Sequence, residues 1–140
     1  VGFPGETDEE WQQTLAFASE MDFGHIHIFA YSPRAGTKAA GMPKQLSRDI
    51  KRTRSRQLHE LAAQSRRKVL ERSVGNEFEV LVESQSQERA DGLKIWSAYT
   101  PNFLRVELRS DAITDLENRN FGVRVKGVTE DGERLIATAP

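Results

Sequence analysis

The chain has 140 residues, with 20 Lys+Arg against 21 Asp+Glu, a formal net charge of -1 and no cysteine. At 29% charged and 37% hydrophobic it falls among ordinary globular chains, and no run approaches the ~18 apolar residues of a membrane-spanning helix. Without cysteine, the chain by itself cannot carry a disulfide scaffold, a thiolate zinc site, a cysteine nucleophile or an iron–sulfur cluster.

Thr7, Asp8, Glu9 and Glu10 have the pattern of a capping box, in which the Thr7 hydroxyl accepts from the Glu10 amide and the Glu10 carboxylate accepts from the Thr7 amide. Trp11, Leu15, Ala18 and Met21 then recur at helical spacing, which predicts an amphipathic helix over 7–21, stopped by Gly24. Residues 25–31 (HIHIFAY) form a β-branched and aromatic run, expected to be a strand covered on both faces. Strand end, capped helix and strand make part of a βα repeat, so the remaining parallel strands must come from elsewhere. A start at Val1, without Met, also suggests a fragment.

Residues 32–46 contain two Pro and two Gly and read as a loop. Ser47 can cap a long helix over 47–73, with Gly75 just past its end. Its apolar stripe is thin (Ile50, Leu58, Leu61, Ala62, Val69), which leaves a basic face free. From Glu77 the period becomes two. Phe78, Val80 and Val82 alternate with Glu79, Leu81 and Glu83; Leu104, Val106 and Leu108 alternate with Arg105, Glu107 and Arg109; Val123 and Val125 alternate with Arg124 and Lys126. Further strands are expected near 93–98 and 133–139, with turns at Ala90-Asp91-Gly92 and Glu130-Asp131-Gly132. Five short strands suit a small closed barrel of the OB or SH3-like kind. The expected fold class is therefore α/β plus all-β, with one part over 1–74 and a β-barrel over 75–140.

The near-neutral total hides a partition. Between residues 34 and 72 stand twelve basic residues and three acids, a surplus of nine; the remainder, eight basic against eighteen acidic, has a deficit of ten. Such a stripe is the footprint of a polyanion partner, or else a solvated helix face paired with acidic neighbours.

Gly2-Phe3-Pro4-Gly5-Glu6 lies between a strand end and a helix start, where α/β proteins hold anionic ligands through helix amides; an ordinary Pro-Gly turn is the plain alternative. His25 and His27 share a strand face and His59 sits on the long helix, but no third ligand stands at a suitable spacing, so they read as structural. Ser32 lacks the G-x-S-x-G frame of a hydrolase nucleophile. Tyr99, Asn102, Phe103, Arg105 and Arg109 interleave aromatic, amide and guanidinium groups, the mixture with which small barrels hold single-stranded RNA. Alternatively Phe103 is core and the arginines a solvated face.

Three stretches together resemble the C-terminal half of the radical S-adenosylmethionine methylthiotransferases. GFPGETDEEWQQTL (2–15) is similar to the family's GFPGET block, and HIHIFAYSPRAGTKAAGMPKQ (25–45) to its H-V-F-x-Y-S-x-R-x-G-T-x-A-A block. VGNEFEVLVES with AYTPNFLRV resembles the entry and middle of the TRAM domain, a small RNA-binding β-barrel.

The resemblance implies that Gly2, Phe3, Pro4, Gly5 and Glu6 shape a pocket for S-adenosylmethionine. It implies that Arg34, Lys38, Lys44, Arg52, Arg56, Lys68, Tyr99, Asn102, Phe103, Arg105 and Arg109 touch tRNA around the anticodon stem-loop. Arg34 stands where tRNA-modifying branches carry Arg. Met42-Pro43 and the 99–103 stretch look most like the threonylcarbamoyladenosine branch, with the isopentenyladenosine branch next. Ala98 departs from the usual Gly, and Phe103 from the usual Tyr. The resemblance further implies a cytoplasmic transferase with two 4Fe-4S clusters, whose thiolates this chain lacks, and a separate N-terminal catalytic half as partner. The competing expectation is a standalone RNA-binding or scaffold protein with no catalytic half.

Overall fold

A computed structural model describes every residue except Arg89, Asp91, 112–114 and Pro140, and of Gln85 and Ser86 only the backbone. The chain forms two compact units, Val1–Arg66 and Arg67–Pro140. The described residues form two α-helices, α1 (Asp8–Glu20) and α2 (Arg48–Ser73), and the division falls inside α2.

In the first unit the capping box forms as the sequence predicts. The Thr7 amide donates to the Glu10 carboxylate at 2.8 Å, and the Glu10 amide donates to the Thr7 hydroxyl at 3.2 Å. Helix α1 buries Trp11 and Ala18 against Leu58 of α2, with Val1, Leu15, Ile26, Ile28 and Leu61 packed around them. The helix ends at Met21, and the reversal is made by Asp22 at φ +52 rather than by Gly24.

Residues 25–31 are extended, but they form no ladder of their own, and their burial alternates. Ile26 and Ile28 face the core, while His25, His27 and Phe29 face solvent, Phe29 at 75% exposure. The expectation of cover on both faces is therefore corrected to one face. Among the described residues, Val1 alone makes main-chain pairing with this run: its nitrogen donates to the Phe29 carbonyl (2.9 Å), and the Tyr31 amide donates to the Val1 carbonyl (2.8 Å). Bonds that straddle one residue in this way are the parallel pattern, as a βα repeat requires. The 32–46 loop contains one 3-10 turn, Lys38–Gly41, capped by Thr37.

Helix α2 starts on Ser47, whose hydroxyl accepts from the Ile50 amide at 3.2 Å. Its buried line runs Arg54, Leu58, Ala62, Ser65, Leu70, Ser73, so three of six buried positions are polar. That explains the thin apolar stripe, and it moves Arg54 off the free basic face. Ile50, expected on the stripe, is exposed.

The second unit is a closed barrel of β1 (Glu77–Glu88), β2 (Lys94–Tyr99), β3 (Arg105–Ser110), β4 (Asn120–Val128) and β5 (Leu135–Thr138), in the order β1-β2-β3-β5-β4. All pairs are antiparallel except β3 with β5. Inward positions follow the two-residue period: Val80 and Val82, Trp96 and Ala98, Val106 and Leu108, Val123 and Val125, Leu135 and Ala137. Leu70, from the last turns of α2, joins this core at 1% exposure. The Glu130-Asp131-Gly132 turn is present, with Gly132 at φ +70 donating to the Thr129 carbonyl. Asp91, in the other expected turn, lies outside the described residues.

Candidate nucleic-acid interface and the glycine loop

Phe3, Pro4, Gly5 and Glu6 line a cavity of about 600 Å³ together with Glu10, Gln13, Thr14 and Phe17. Gly2 does not line it. At φ +76 it is buried against Lys51, where an added Cβ would fall 2.3 Å from the Lys51 side chain. Gly5 donates to the Lys44 carbonyl at 3.0 Å, so Lys44 anchors the loop through its backbone.

Glu6 is held from behind by a residue that composition could not single out. The Arg54 guanidinium meets the Glu6 carboxylate at 2.5 Å and Asp8 at 2.7 Å, and its carbon lies 5.7 Å from the Trp11 ring centre. Burial works against the charged guanidinium; the bonds to Asp8 and Glu6 outweigh it and raise its pKa. The loop therefore works differently from the anion cradle considered above. The capping box already occupies the Glu10 amide, and the first turn of α1 carries Asp8, Glu9 and Glu10, which disfavour an anion. Two aromatic rings, carboxylates and an amide suit a cationic or aromatic group better than a phosphate.

Of the predicted RNA residues in the first unit, Arg34, Lys38, Lys44, Arg52 and Arg56 are all exposed. Arg48, Arg52 and Arg56 follow one another at four-residue spacing, which on a helix puts them on one face. Arg56 only grazes Glu60, at 3.9 Å. Lys51 is turned inward instead, its ammonium donating to the Tyr31 carbonyl at 3.2 Å. Lys68 is exposed on the part of α2 that belongs to the second unit.

On the barrel, Tyr99 stands directly across from Arg105, and the turn between their strands carries Asn102 and Phe103. These four are brought together. Arg109 lies at the far end of β3 and is engaged by Glu107 at 2.7 Å. Asn102 accepts from the Thr100 hydroxyl at 2.6 Å, so its carbonyl oxygen serves the turn. Phe103 is 82% exposed at φ +61, which rules out the core alternative.

Two basic residues missed in the sequence, Arg134 and Lys126, stand on the barrel's exterior, Arg134 at the Arg105 end of β3 and Lys126 toward the Arg109 end. Arg134 joins Arg105, Tyr99, Ser97, Glu107 and Trp96 around a cavity of about 240 Å³, and the Trp96 indole N–H has no partner among the described residues. Lys126 donates to the Thr138 hydroxyl at 2.9 Å on β5. The parallel β3–β5 pairing brings the Arg105 end of one strand beside the start of the other, and nothing in the linear pattern signals that pairing.

His25 contacts Arg66 (Nδ1 to Nη2, 3.2 Å) and packs edge-on to His27. Among the described residues no cluster of three His, Asp or Glu is placed to hold a metal, and no helix is long and apolar enough to cross a membrane.

No protein-family model matches the chain. Among curated proteins it is similar to the tRNA-2-methylthio-N(6)-dimethylallyladenosine synthase of Bacillus licheniformis, 38% identical over 137 residues, which is 96% of this chain and 26% of that protein. The synthase of the same name from Moorella thermoacetica is 44% identical over 93 residues, 66% of this chain and 21% of that protein. The one from Geobacillus kaustophilus is 39% identical over 93 residues, 66% of this chain and 18% of that protein. The chain thus spans between 18% and 26% of the length of these relatives. With the GFPGET loop, the capped helix and the small closed barrel in the order the resemblance implied, the chain belongs to the methylthiotransferase family.

Proposed function

We propose that this chain is the RNA-holding part of a tRNA methylthiotransferase, a protein that adds a methylthio group to an adenosine carrying an N6 substituent beside the anticodon. The relatives' names favour a dimethylallyl substituent over the threonylcarbamoyl one. S-adenosylmethionine, assisted by iron–sulfur clusters, would supply the radical and methyl chemistry. The cluster thiolates would come from a separate catalytic portion, because this chain has no cysteine.

The observation that carries the reading is the Arg105–Arg134 cluster with Tyr99 on the outer surface of the barrel. Guanidinium groups pair phosphates and a tyrosine ring stacks on a base, so this surface can hold a strand by backbone and base together. The exposed Arg48, Arg52 and Arg56 face, with Lys68, would add further phosphate contacts. Phe3, Pro4, Gly5 and Glu6 would border the S-adenosylmethionine pocket, with Arg54 holding Glu6 in place.

The test is binding of an anticodon stem-loop across a salt series. Affinity should fall with salt, and the slope of log K against log salt should shrink by about 0.7–0.9 for each phosphate contact removed. Reversing the charge at Arg52, Arg56 and Lys68, or separately at Arg105 and Arg134, should flatten that slope. An unchanged slope in both sets overturns the proposal.

A further inference from the structure

We propose that a second surface of the barrel receives the lysine or arginine side chain of a partner protein's exposed segment, and that this groove takes no RNA. Its geometry follows from the strand register. Leu81 on β1 lies opposite Tyr99 on one side and Asn120 on the other, so the three form an outward row across three strands. Glu79 lies two residues away on the same outward face, opposite Gly122, which adds no side chain. Glu83 lies at the register shift between Val82 and Ser84, where an extra residue re-aims its side chain. With Thr100, Pro101 and Phe103 these residues enclose about 500 Å³.

The lining contains two carboxylates and no base. Neither the Glu79 nor the Glu83 carboxylate has a hydrogen bond or ion pair among the described residues. A phosphodiester entering here would meet two like charges and no cation. A basic side chain would lay its methylene stem on Leu81, which is 49% exposed, and set its charged head beside two aromatic rings and two carboxylates. Charge complementarity therefore selects a cation, while Arg105 and Arg134 serve the anion on the neighbouring surface.

The proposal shares only Tyr99 with the RNA reading and rests on Leu81, Glu79 and Glu83, which that reading does not use, so either can fail without the other. The 140-residue chain is titrated with an acetylated, amidated glycine-spaced Lys/Arg peptide, with its norleucine/citrulline counterpart, and with an oligouridylate, following backbone amide shifts by NMR. The basic peptide should move the amides of Leu81, Thr100, Phe103 and Asn120, and the neutral peptide should not. The Glu79→Gln/Glu83→Gln double variant should bind about fivefold more weakly, as expected for two exposed ion pairs. Phe103→Ala should weaken binding as well, with unchanged Val80 and Val106 amides reporting an intact barrel. Equal binding of the neutral peptide, or undiminished binding by the Gln variant, overturns the proposal. So does an oligouridylate that moves these amides when the basic peptide does not, which would make the groove a base pocket.

Discussion

Arg54 and Glu6 meet at 2.5 Å, and the same Glu6 oxygen accepts the Gly2 amide at 3.0 Å, so one side chain of α2 sets the backbone of the glycine loop. The Arg54 side chain is 5% exposed and that of Glu6 18%, so this pair is only weakly screened. Arg54→Met should strand the Glu6 carboxylate and cost about 3 kcal/mol, the usual penalty for breaking a buried pair from one side. Asp8 is fully solvated, and Asp8→Ala should cost under about 1 kcal/mol. Urea unfolding checks both, and equal losses would contradict this ordering.

Gly2→Ala should be costly for two reasons. Its φ of +76 suits glycine, and the new Cβ would collide with Lys51, which holds the Tyr31 carbonyl. Lys51 is flexible, so the clash can relax by moving that chain, which leaves a loss of about 1–2 kcal/mol from the backbone. A double Gly2→Ala/Lys51→Ala variant should recover little of it, as comparison of the unfolding midpoints will reveal.

The Thr7 amide, and then its hydroxyl, hold the Glu10 carboxyl below its ordinary value of 4.5. Since folding lowers that value, the charged form supports the start of α1 above pH 4.5, and the support is lost as pH falls through the lowered value. The Thr7 amide shift should therefore titrate in acid, below the ordinary carboxyl range. In Glu10→Gln that titration should vanish; its persistence would point to another carboxyl.

Phe103 adopts φ +61, unusual for a residue with a side chain, in a turn held by the Thr100–Leu104 bonds at 2.9 and 3.0 Å. Its ring is exposed, so it adds little to the core. Phe103→Gly should therefore leave the barrel more stable than Phe103→Ala by about 1 kcal/mol. If the alanine variant proves the more stable in chemical denaturation, the backbone strain is not there.

Period and capping chemistry carried much of this fold in advance. Val80 and Val82 face inward because a pleated strand alternates, and Thr7 with Glu10 caps because three-residue spacing lets each reach the other's amide. Charge was less informative. Arg54 and Arg56 are the same residue type two positions apart, yet one is 4% exposed and the other lies on the solvent face; what separates them is that Glu6, Asp8 and Trp11 stand on the Arg54 side of the helix. The 25–31 run looked doubly buried because apolar content alone does not record how many neighbours a strand has. The groove at Leu81 was within reach: its alternation with Val80 and Val82 already put a leucine outside, between two glutamates. Arg134 was not, because its place beside Arg105 depends on a parallel pairing between strands that are not consecutive.

The ring of five strands has a further consequence. The closed strand order leaves little free edge: β1 pairs with β4 over Glu77–Leu81 and with β2 over Leu81–Glu88, so an incoming strand would find main-chain groups only at the two ends of β1. Away from those ends, recognition by this barrel depends on outward side chains, none of which the ladder itself requires. The outer surface can therefore exchange one ligand for another by substitution, while the inward valines and leucines hold the frame unchanged.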